Sequence, residues 1–404
     1  MTISHANTAA NSINAPSRPQ LEVLIVGAGL GGLMMGILLE RIGIPYTILE
    51  RATKVRPLGS ILSLGPNILP VFEQLGLMNE LAQISLPISS TDVYDKDLNK
   101  LGSIVLRGQK QITGYDNIVF ARPKLYDLLH KQVPAHKILM GKRIIKVEEK
   151  QGRVYAHCTG GTIYHGDILI GADGAYSRVR ESLFRQLADK GLLPETDAQG
   201  PSVGYACMVG VACPKDVSKY PQLQNRSSYL TSVLGGDRRL WAVNNVPGNQ
   251  LCWALFYQFT TTTEFKAQQC HNSEWGTKTN ISTMIQQYYD LPCPYGGTVG
   301  ELIDATPKDL ISKVFCEEKL FETWFCGRTV LIGDACHKML PGAGQGAINA
   351  MQDAVILANC LYDFEDSTPA GITAAFQDYR NQRYPRARAM SANSRFISTV
   401  MAGQ

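Results

Sequence analysis

The run VLIVGAGLGG at residues 23–32 constrains this chain more than any other stretch. An apolar strand leads straight into Gly27, Gly29 and Gly32, spaced G-x-G-x-x-G, and a helix follows. Gly27 permits the tight turn, Gly29 lets the backbone approach a pyrophosphate, and Gly32 lets the helix pack closely on the strand. A second strand over 46–49 ends in Glu50. That places a carboxylate about 20 residues on, where it would accept hydrogen bonds from ribose hydroxyls. Strand, glycine turn, helix, strand and acid together specify a βαβ unit built for a dinucleotide.

The far end of the chain asks for the same kind of ligand. The run TVLIGDACHKMLPGAGQGAINAMQD at 329–353 reads as a short strand ending in Gly333-Asp334, a loop with Pro341 and three glycines, and a helix opening on small residues. A carboxylate at a strand end and bare N–H groups at a helix start suit a bulky cofactor carrying hydroxyls and phosphates. Between the two runs, Asp173-Gly174, with Arg180 just beyond, marks a third strand-to-helix turn.

At 404 residues the chain is too long for one simple core, and two domains are expected. The net charge of +4 is too mild, and too evenly spread, to point to nucleic acid. Ten cysteines with no C-x-x-C read as reduced, mostly buried thiols, and no Cys/His cluster has the spacing of a metal site. The seventeen uncharged residues 23–39 contain the glycine turn, so they read as a buried strand and helix rather than a membrane span. Residues 1–20 read as a polar, disordered leader, and the chain is expected in the cytoplasm; a membrane contact through residues beyond 404 stays open.

The expected organisation is α/β: a Rossmann-like nucleotide domain with an inserted β-rich substrate domain and C-terminal helices. The first part of the nucleotide domain spans 21–90. Its second part, with antiparallel strands, spans 91–190. The substrate domain covers 191–315, the third nucleotide part 316–362, and a terminal helix 363–404. Helices are expected over 68–75, 124–131, 347–361 and 370–391, with Pro385 kinking or splitting the last. Strands are expected over 138–150, 153–159 and 163–170, the last broken at Gly166. In the middle, strands over 203–211, 228–233, 239–243 and 250–257 read as an antiparallel sheet.

The three motifs, in this order, resemble the group A flavin-dependent aromatic monooxygenases of the para-hydroxybenzoate hydroxylase fold, over residues 22–358. The stretch from Glu50-Arg51 to Gly59-Ser60 is most similar to fungal FAD monooxygenases of secondary metabolism. The resemblance implies FAD as cofactor, with NADPH or NADH as co-substrate and NADPH favoured. It implies that one oxygen atom of O2 hydroxylates or epoxidises an apolar or aromatic small molecule. It places Gly27, Gly29 and Gly32 at the FAD pyrophosphate, Glu50 at the ribose, and Arg122 at the phosphates or ribityl chain. Asp334 then bonds a ribityl hydroxyl, and Gly344, Gly346 and Ala347 approach the flavin, with the Pro341 carbonyl near its reactive edge. Asp173, Gly174 and Arg180 fall in the motif that meets both the pyrophosphate and the nicotinamide cofactor. Arg51 and Ser63 are carried over as further cofactor contacts, Ser63 standing where the family has a glycine.

His337 follows the family's Gly-Asp-Ala-x-His pattern and is expected to make a structural hydrogen bond. No catalytic acid or base is assigned, because the cofactor carries the chemistry. One departure matters. Phenol-hydroxylating relatives carry Arg in a Tyr-Arg-Cys strand that stabilises a phenolate, and here that run is Tyr205-Ala206-Cys207. Aromatic side chains of the middle sheet, among them Tyr205, Trp241, Trp253, Phe256 and Tyr257, are candidates for the pocket wall or for plain core. Three other readings remain: a flavin reductase or desaturase acting on an isoprenoid, an NAD-dependent dehydrogenase, and a non-catalytic flavin-binding subunit.

Overall fold

The apolar run that opens the chain forms a strand, β1 (Val23–Val26), buried at every residue as a central parallel strand must be. The structure, a computed structural model, describes residues 21–259, 281–363 and 367–401. The leader expected over 1–20 lies outside the described residues. After β1 come α1 (Leu30–Ile42) and β2 (Tyr46–Leu49), the expected βαβ unit. β3 (Ile61–Leu64), β4 (Leu86–Asp95), β5 (Lys100–Val105) and β6 (Ile118–Ala121) follow, and β6 runs directly into α2 (Arg122–Gln132).

The single strand expected over 138–150 is two. Gly141, at φ +73°, turns the chain. This separates β7 (Ile138–Leu139) from β8 (Ile144–Lys150), which pairs with β9 (Arg153–Cys158) and, through it, β10 (Ile163–Gly166). The break at Gly166 is where it was expected: β11 (Ile168–Gly171) leaves the appendage and joins β1 in parallel, ahead of α3 (Arg178–Asp189). The middle supplies β12 (Ser202–Ala212), β13 (Ser228–Gly236), β14 (Arg239–Val246), β15 (Gln250–Gln258) and α4 (Val299–Asp304). The chain then forms β16 (Ser312–Leu320), β17 (Phe325–Cys326), β18 (Thr329–Leu331) and β19 (His337–Lys338), and closes in α5 (Gly346–Tyr362) and α6 (Pro369–Met401).

The nucleotide half is a six-stranded sheet in the order β17-β18-β11-β1-β2-β7, parallel except at β17. The second large sheet runs β19-β16-β12-β15-β14-β13-β4-β6-β3, with β5 paired to β4. It crosses the boundaries expected at 90 and 190, because β3, β4 and β6 from the first third of the chain complete it. The junction is a parallel pairing of β4 with β13, a long-range contact that no local pattern announces. The buried Ser60 hydroxyl lies 2.9 Å from the carbonyls of Gly210 and Trp253, tying the start of β3 to β12 and β15. Each half has its own apolar cluster. The second is anchored by Trp241 and Trp253, whose indole N–H groups donate to Pro292 O at 3.0 Å and Thr306 Oγ1 at 2.8 Å.

α6 is the other correction. Of the kink or split expected at Pro385, the split is absent: α6 is one helix, although a proline inside a helix costs about 3 kcal/mol. Ties before and just ahead of the proline hold it in place. The Tyr379 hydroxyl donates to Leu331 O at 3.1 Å, and Arg383 is locked to α5. Among the described residues no helix is long and apolar enough to cross a membrane; residues 23–39 are β1, a turn and most of α1.

One packing contact makes a sharp prediction. A Cβ on Gly32 would lie 2.0 Å from the Gly27 carbonyl oxygen, a backbone atom that cannot swing away. Gly32→Ala is expected to cost about 1–3 kcal/mol by overpacking, read as a lower midpoint in urea unfolding; an unchanged midpoint would refute this packing role.

Candidate functional site

Glycines around the first turn divide into two kinds. Gly27 (φ +104°) and Gly32 are pressed against neighbouring backbone, and a Cβ on Gly27 would meet Ala172 O at 2.5 Å. Gly29, which caps α1, has nothing within 4 Å of its would-be Cβ. Two glycines therefore shape the turn, and the middle one leaves open space over the helix N-terminus. Glu50 stands beside this space. Its Oε2 accepts the Ala28 N–H at 2.8 Å and its Oε1 the Ala52 N–H at 2.8 Å, which fixes the carboxylate at the turn and leaves lone pairs for a ligand. Arg51 is exposed next to it, and Ser63 lies mid-strand in β3 opposite Val119.

The second glycine loop repeats the division. Gly344 (φ +63°) and Gly346, the first residue of α5, again have nothing within 4 Å. Gly342 is instead packed against Ser394 and Ser398 of α6, so the loop from Pro341 is clamped from behind and open in front. Ala347 follows Gly346 on α5, and Ile348 beyond it is buried. Ala350 joins the two turns: a Cβ on Gly31 would lie 3.2 Å from its Cβ, and one on Gly333 would lie 2.8 Å from it.

Asp334 stands between them, after β18. It is reached by solvent, yet the protein packed around it raises its carboxyl pKa, opposed by His337, Lys338 and Arg122. Arg122, the first residue of α2, donates Nη1 to Leu58 O at 3.1 Å and packs its chain on Gly59. Burial lowers its pKa and Asp334 supports its charge. The structure thus brings Gly29, Glu50, Arg122, Asp334, Gly344 and Gly346 around one cleft.

Asp173 and Arg180 are committed to the fold. Asp173 Oδ2 accepts the Arg178 N–H at 2.8 Å and the Val179 N–H at 3.2 Å at the start of α3, while among the described residues its buried Oδ1 has no hydrogen-bond partner. Burial raises this carboxyl. Arg180 donates Nη1 to Ala335 O at 2.9 Å and Nη2 to Ala175 O at 3.0 Å, and lies 4.4 Å over the Phe321 ring. Gly174, at φ +81°, has open space above it.

His337 makes the structural bond expected of it. Its Nε2 lies 2.5 Å from Asp353 Oδ2, and the same oxygen accepts the Gly333 N–H at 2.8 Å. Arg383 of α6 donates Nε to Asp353 Oδ1 at 2.7 Å and Nη2 to Asn349 Oδ1 at 2.9 Å. His337, Asp353 and Arg383 are all buried. Sequence reasoning passed over Asp353 and Arg383, which hold the turn that carries Asp334. A buried-looking acid in an apolar helix, Asp353 among Ala354, Leu357 and Ala358, was the available signal. With a guanidinium already on Asp353, and the Cys336 thiol donating to Leu331 O and Gly333 O, the neighbouring Cys336, His337 and Asp353 are hydrogen-bond partners of the fold rather than a cation site.

In the large sheet, Trp241 and Trp253 are core, as are Ala206 and Met208. Tyr205 turns away from them, its hydroxyl donating to Ser398 O of α6 at 2.8 Å.

Against this geometry, residues 20–193 and 300–394 match the family model described as FAD binding domain. The chain is 28% identical to the FAD-dependent monooxygenase ptmM of Penicillium ochrochloron, over 96% of this chain and 90% of that one. It is 28% identical to the FAD-dependent monooxygenase paxM of Penicillium paxilli, over 94% and 79%. Among solved structures, CtdE in complex with FAD and a substrate superposes with a TM-score of 0.77 at 19% identity, over 95% and 90%. Klebsiella pneumoniae HpxO complexed with FAD and uric acid does so with a TM-score of 0.75 at 21% identity, over 95% and 89%.

Proposed function

The chain belongs to the FAD binding domain family and is an FAD-dependent monooxygenase with the para-hydroxybenzoate hydroxylase-like fold, and we propose that it uses NAD(P)H and O2 to hydroxylate or epoxidise an apolar or aromatic secondary metabolite. The observation that carries this reading is the open space over Gly29, Gly344 and Gly346, with Asp334 and Arg122 between them. That is a cradle a single Cβ would begin to fill. Bound FAD would supply the redox chemistry: substrate, O2, NAD(P)H and a proton give oxygenated substrate, NAD(P)+ and water.

The chain's own residues bind and orient. The α1 N-terminus at Gly29 offers N–H groups to the pyrophosphate, and Glu50, already held by Ala28 and Ala52, accepts from the ribose. Arg122 faces the phosphates or ribityl chain, and Asp334 accepts from a ribityl hydroxyl. Gly344, Gly346 and Ala347 keep the flavin face clear, and Pro341 shapes the oxygen pocket. Arg51 and Ser63 stand as further contacts. Asp173, Gly174 and Arg180 serve by setting the third turn, where the nicotinamide cofactor approaches.

Glu50→Arg is expected to lower FAD occupancy at least tenfold, since it exchanges a hydrogen-bond acceptor for a cation at the ribose. Full occupancy in the purified variant would remove Glu50 from the site. The reaction itself is tested by air-dependent NADPH oxidation with a panel of apolar aromatic and prenylated compounds under 18O2. One 18O atom in the product per NADPH consumed is the expected result; product formation without label would make the enzyme a reductase or desaturase.

A further inference from the structure

Along a free edge of the large sheet, large apolar side chains face solvent. β5 pairs with β4 on one side, and among the described residues no strand pairs with it on the other. A β-bulge opens its register: Gly102 stands opposite Val93 and Lys100 opposite Tyr94, which leaves Leu101 as the extra residue. Leu101, Ile104 and Val105 are 59%, 66% and 68% exposed. Ile112, on the short helix Gln109–Thr113 that follows, is 87% exposed. Adjacent strand residues point to opposite faces, but at an edge strand both faces border the same open side. An apolar edge left in water is a site of unwanted association, so a cover for it is expected.

The charges beside this edge have one sign. Between Asp97 and Asp116 the chain carries Lys100, Arg107 and Lys110 and no acid. Lys100 Nζ lies 3.1 Å from Asp92 Oδ1, and Arg107 Nη2 donates to the Tyr229 hydroxyl at 3.2 Å. Lys110 is exposed, and among the described residues no carboxylate pairs with it. Two copies of the chain paired along β5 would bring these cations together, which opposes self-association. An anionic bilayer surface answers to both features, since it takes cations at its headgroups and aliphatic side chains just beneath them.

A short relay of side chains joins this edge to the second glycine loop. Gln109, which opens the short helix, accepts from Asn117 Nδ2, and Asn117 Oδ1 fills the space a Cβ on Gly65 would take. Two residues on, Asn67 Nδ2 donates to Gln345 Oε1 at 3.2 Å, and Asn67 O accepts from Gln352 Nε2 at 2.9 Å. Gln345 immediately precedes Gly346, the first residue of α5.

We propose that the free edge of β5 and the helix Gln109–Thr113 dock this protein on the surface of an anionic phospholipid bilayer. Leu101, Ile104, Val105 and Ile112 enter the headgroup layer, and Arg107 and Lys110 meet lipid phosphates. The contact is peripheral and needs no spanning helix. An apolar substrate partitions into the same bilayer, and docking holds the cleft near that supply. The docking itself does not depend on the cofactor reading.

The test is flotation of the purified full chain with vesicles of phosphatidylcholine and with vesicles that also contain phosphatidylserine. Wild type is expected to bind the phosphatidylserine vesicles at least about tenfold more tightly than the neutral ones, and to be released by high salt. Lys110→Glu should weaken that binding by about tenfold or more, since it reverses one of few charges at the contact. Ile104→Ser/Ile112→Ser should weaken it by about as much, with Tm unchanged because both positions are exposed. Ile163→Ser, at an exposed apolar residue of β10, is the control and should float as wild type does. Wild type that floats with neither vesicle, or equally with both, overturns the proposal, as do variants that float like wild type. A dimer in light scattering that Ile104→Ser/Ile112→Ser dissolves, without flotation, also overturns it and gives the edge to a second copy. FAD is read by absorbance in the same fractions, so FAD-free protein that floats separates failure of the cofactor reading from failure of docking.

Discussion

Gly346→Leu is expected to purify folded and colourless. Gly346 is the first residue of α5, its φ is not in the left-handed region, and nothing lies within 4 Å of its would-be Cβ. A leucine there is locally welcome, since replacing a helical glycine gains about 0.5–1 kcal/mol of helix propensity. Its side chain would project into the space over the second glycine loop, where no relaxation of the protein can clear it. FAD affinity should fall by at least about a hundredfold, the scale of a steric clash with a rigid ring. Gly102→Leu is the control: Gly102 sits in exposed β5, equally free of neighbours, and should leave FAD binding alone. A yellow, active Gly346→Leu protein would mean that this loop does not border the flavin.

The second large effect is on stability. Asp353 accepts from Gly333, His337 and Arg383 in a site with no access to water. Asp353→Ala leaves the Arg383 guanidinium buried without its carboxylate, and breaking such a pair costs about 3–5 kcal/mol. Urea unfolding should show that loss, and FAD affinity should fall with it, because Gly333 and hence Asp334 lose their support. A loss under about 1 kcal/mol would show that α6 adjusts around the missing acid. The pH dependence follows from the same contacts. Although burial opposes it, His337 and Arg383 hold the Asp353 carboxyl below the usual range. A carboxyl lowered in the folded state contributes stability that is present above its unfolded pKa, near 4, and lost as pH falls through the lower folded value. Wild type should therefore lose this increment in acid, and Asp353→Ala should not.

What could be read in the sequence was what is local. The βαβ unit was legible because Gly27, Gly29, Gly32 and Glu50 lie within one short stretch and each answers to a turn or a hydrogen bond. The Gly333-Asp334 run was legible for the same reason, as was the structural bond of His337. The rest depends on contacts between distant segments. Nothing near Leu86–Asp95 indicates that this strand pairs in parallel with Ser228–Gly236 and carries the large sheet into the first third of the chain. Pro385 was read from its own chemistry, whereas Tyr379 and Arg383, bonded to Leu331 and Asp353, decide that the helix continues. Asp173 and Arg180 looked like ligand contacts; among the described residues, both also meet needs of the fold, two N–H groups at a helix start and two carbonyls of neighbouring turns.

The most direct measurement is an absorption spectrum of the purified protein, followed by release and identification of the chromophore. Flavin bands with one FAD per chain, lost in Gly346→Leu and kept in Gly102→Leu, are the expected result. A colourless protein that cannot be reconstituted with FAD would contradict the account and return Gly27, Gly29 and Gly32 to a nicotinamide dinucleotide.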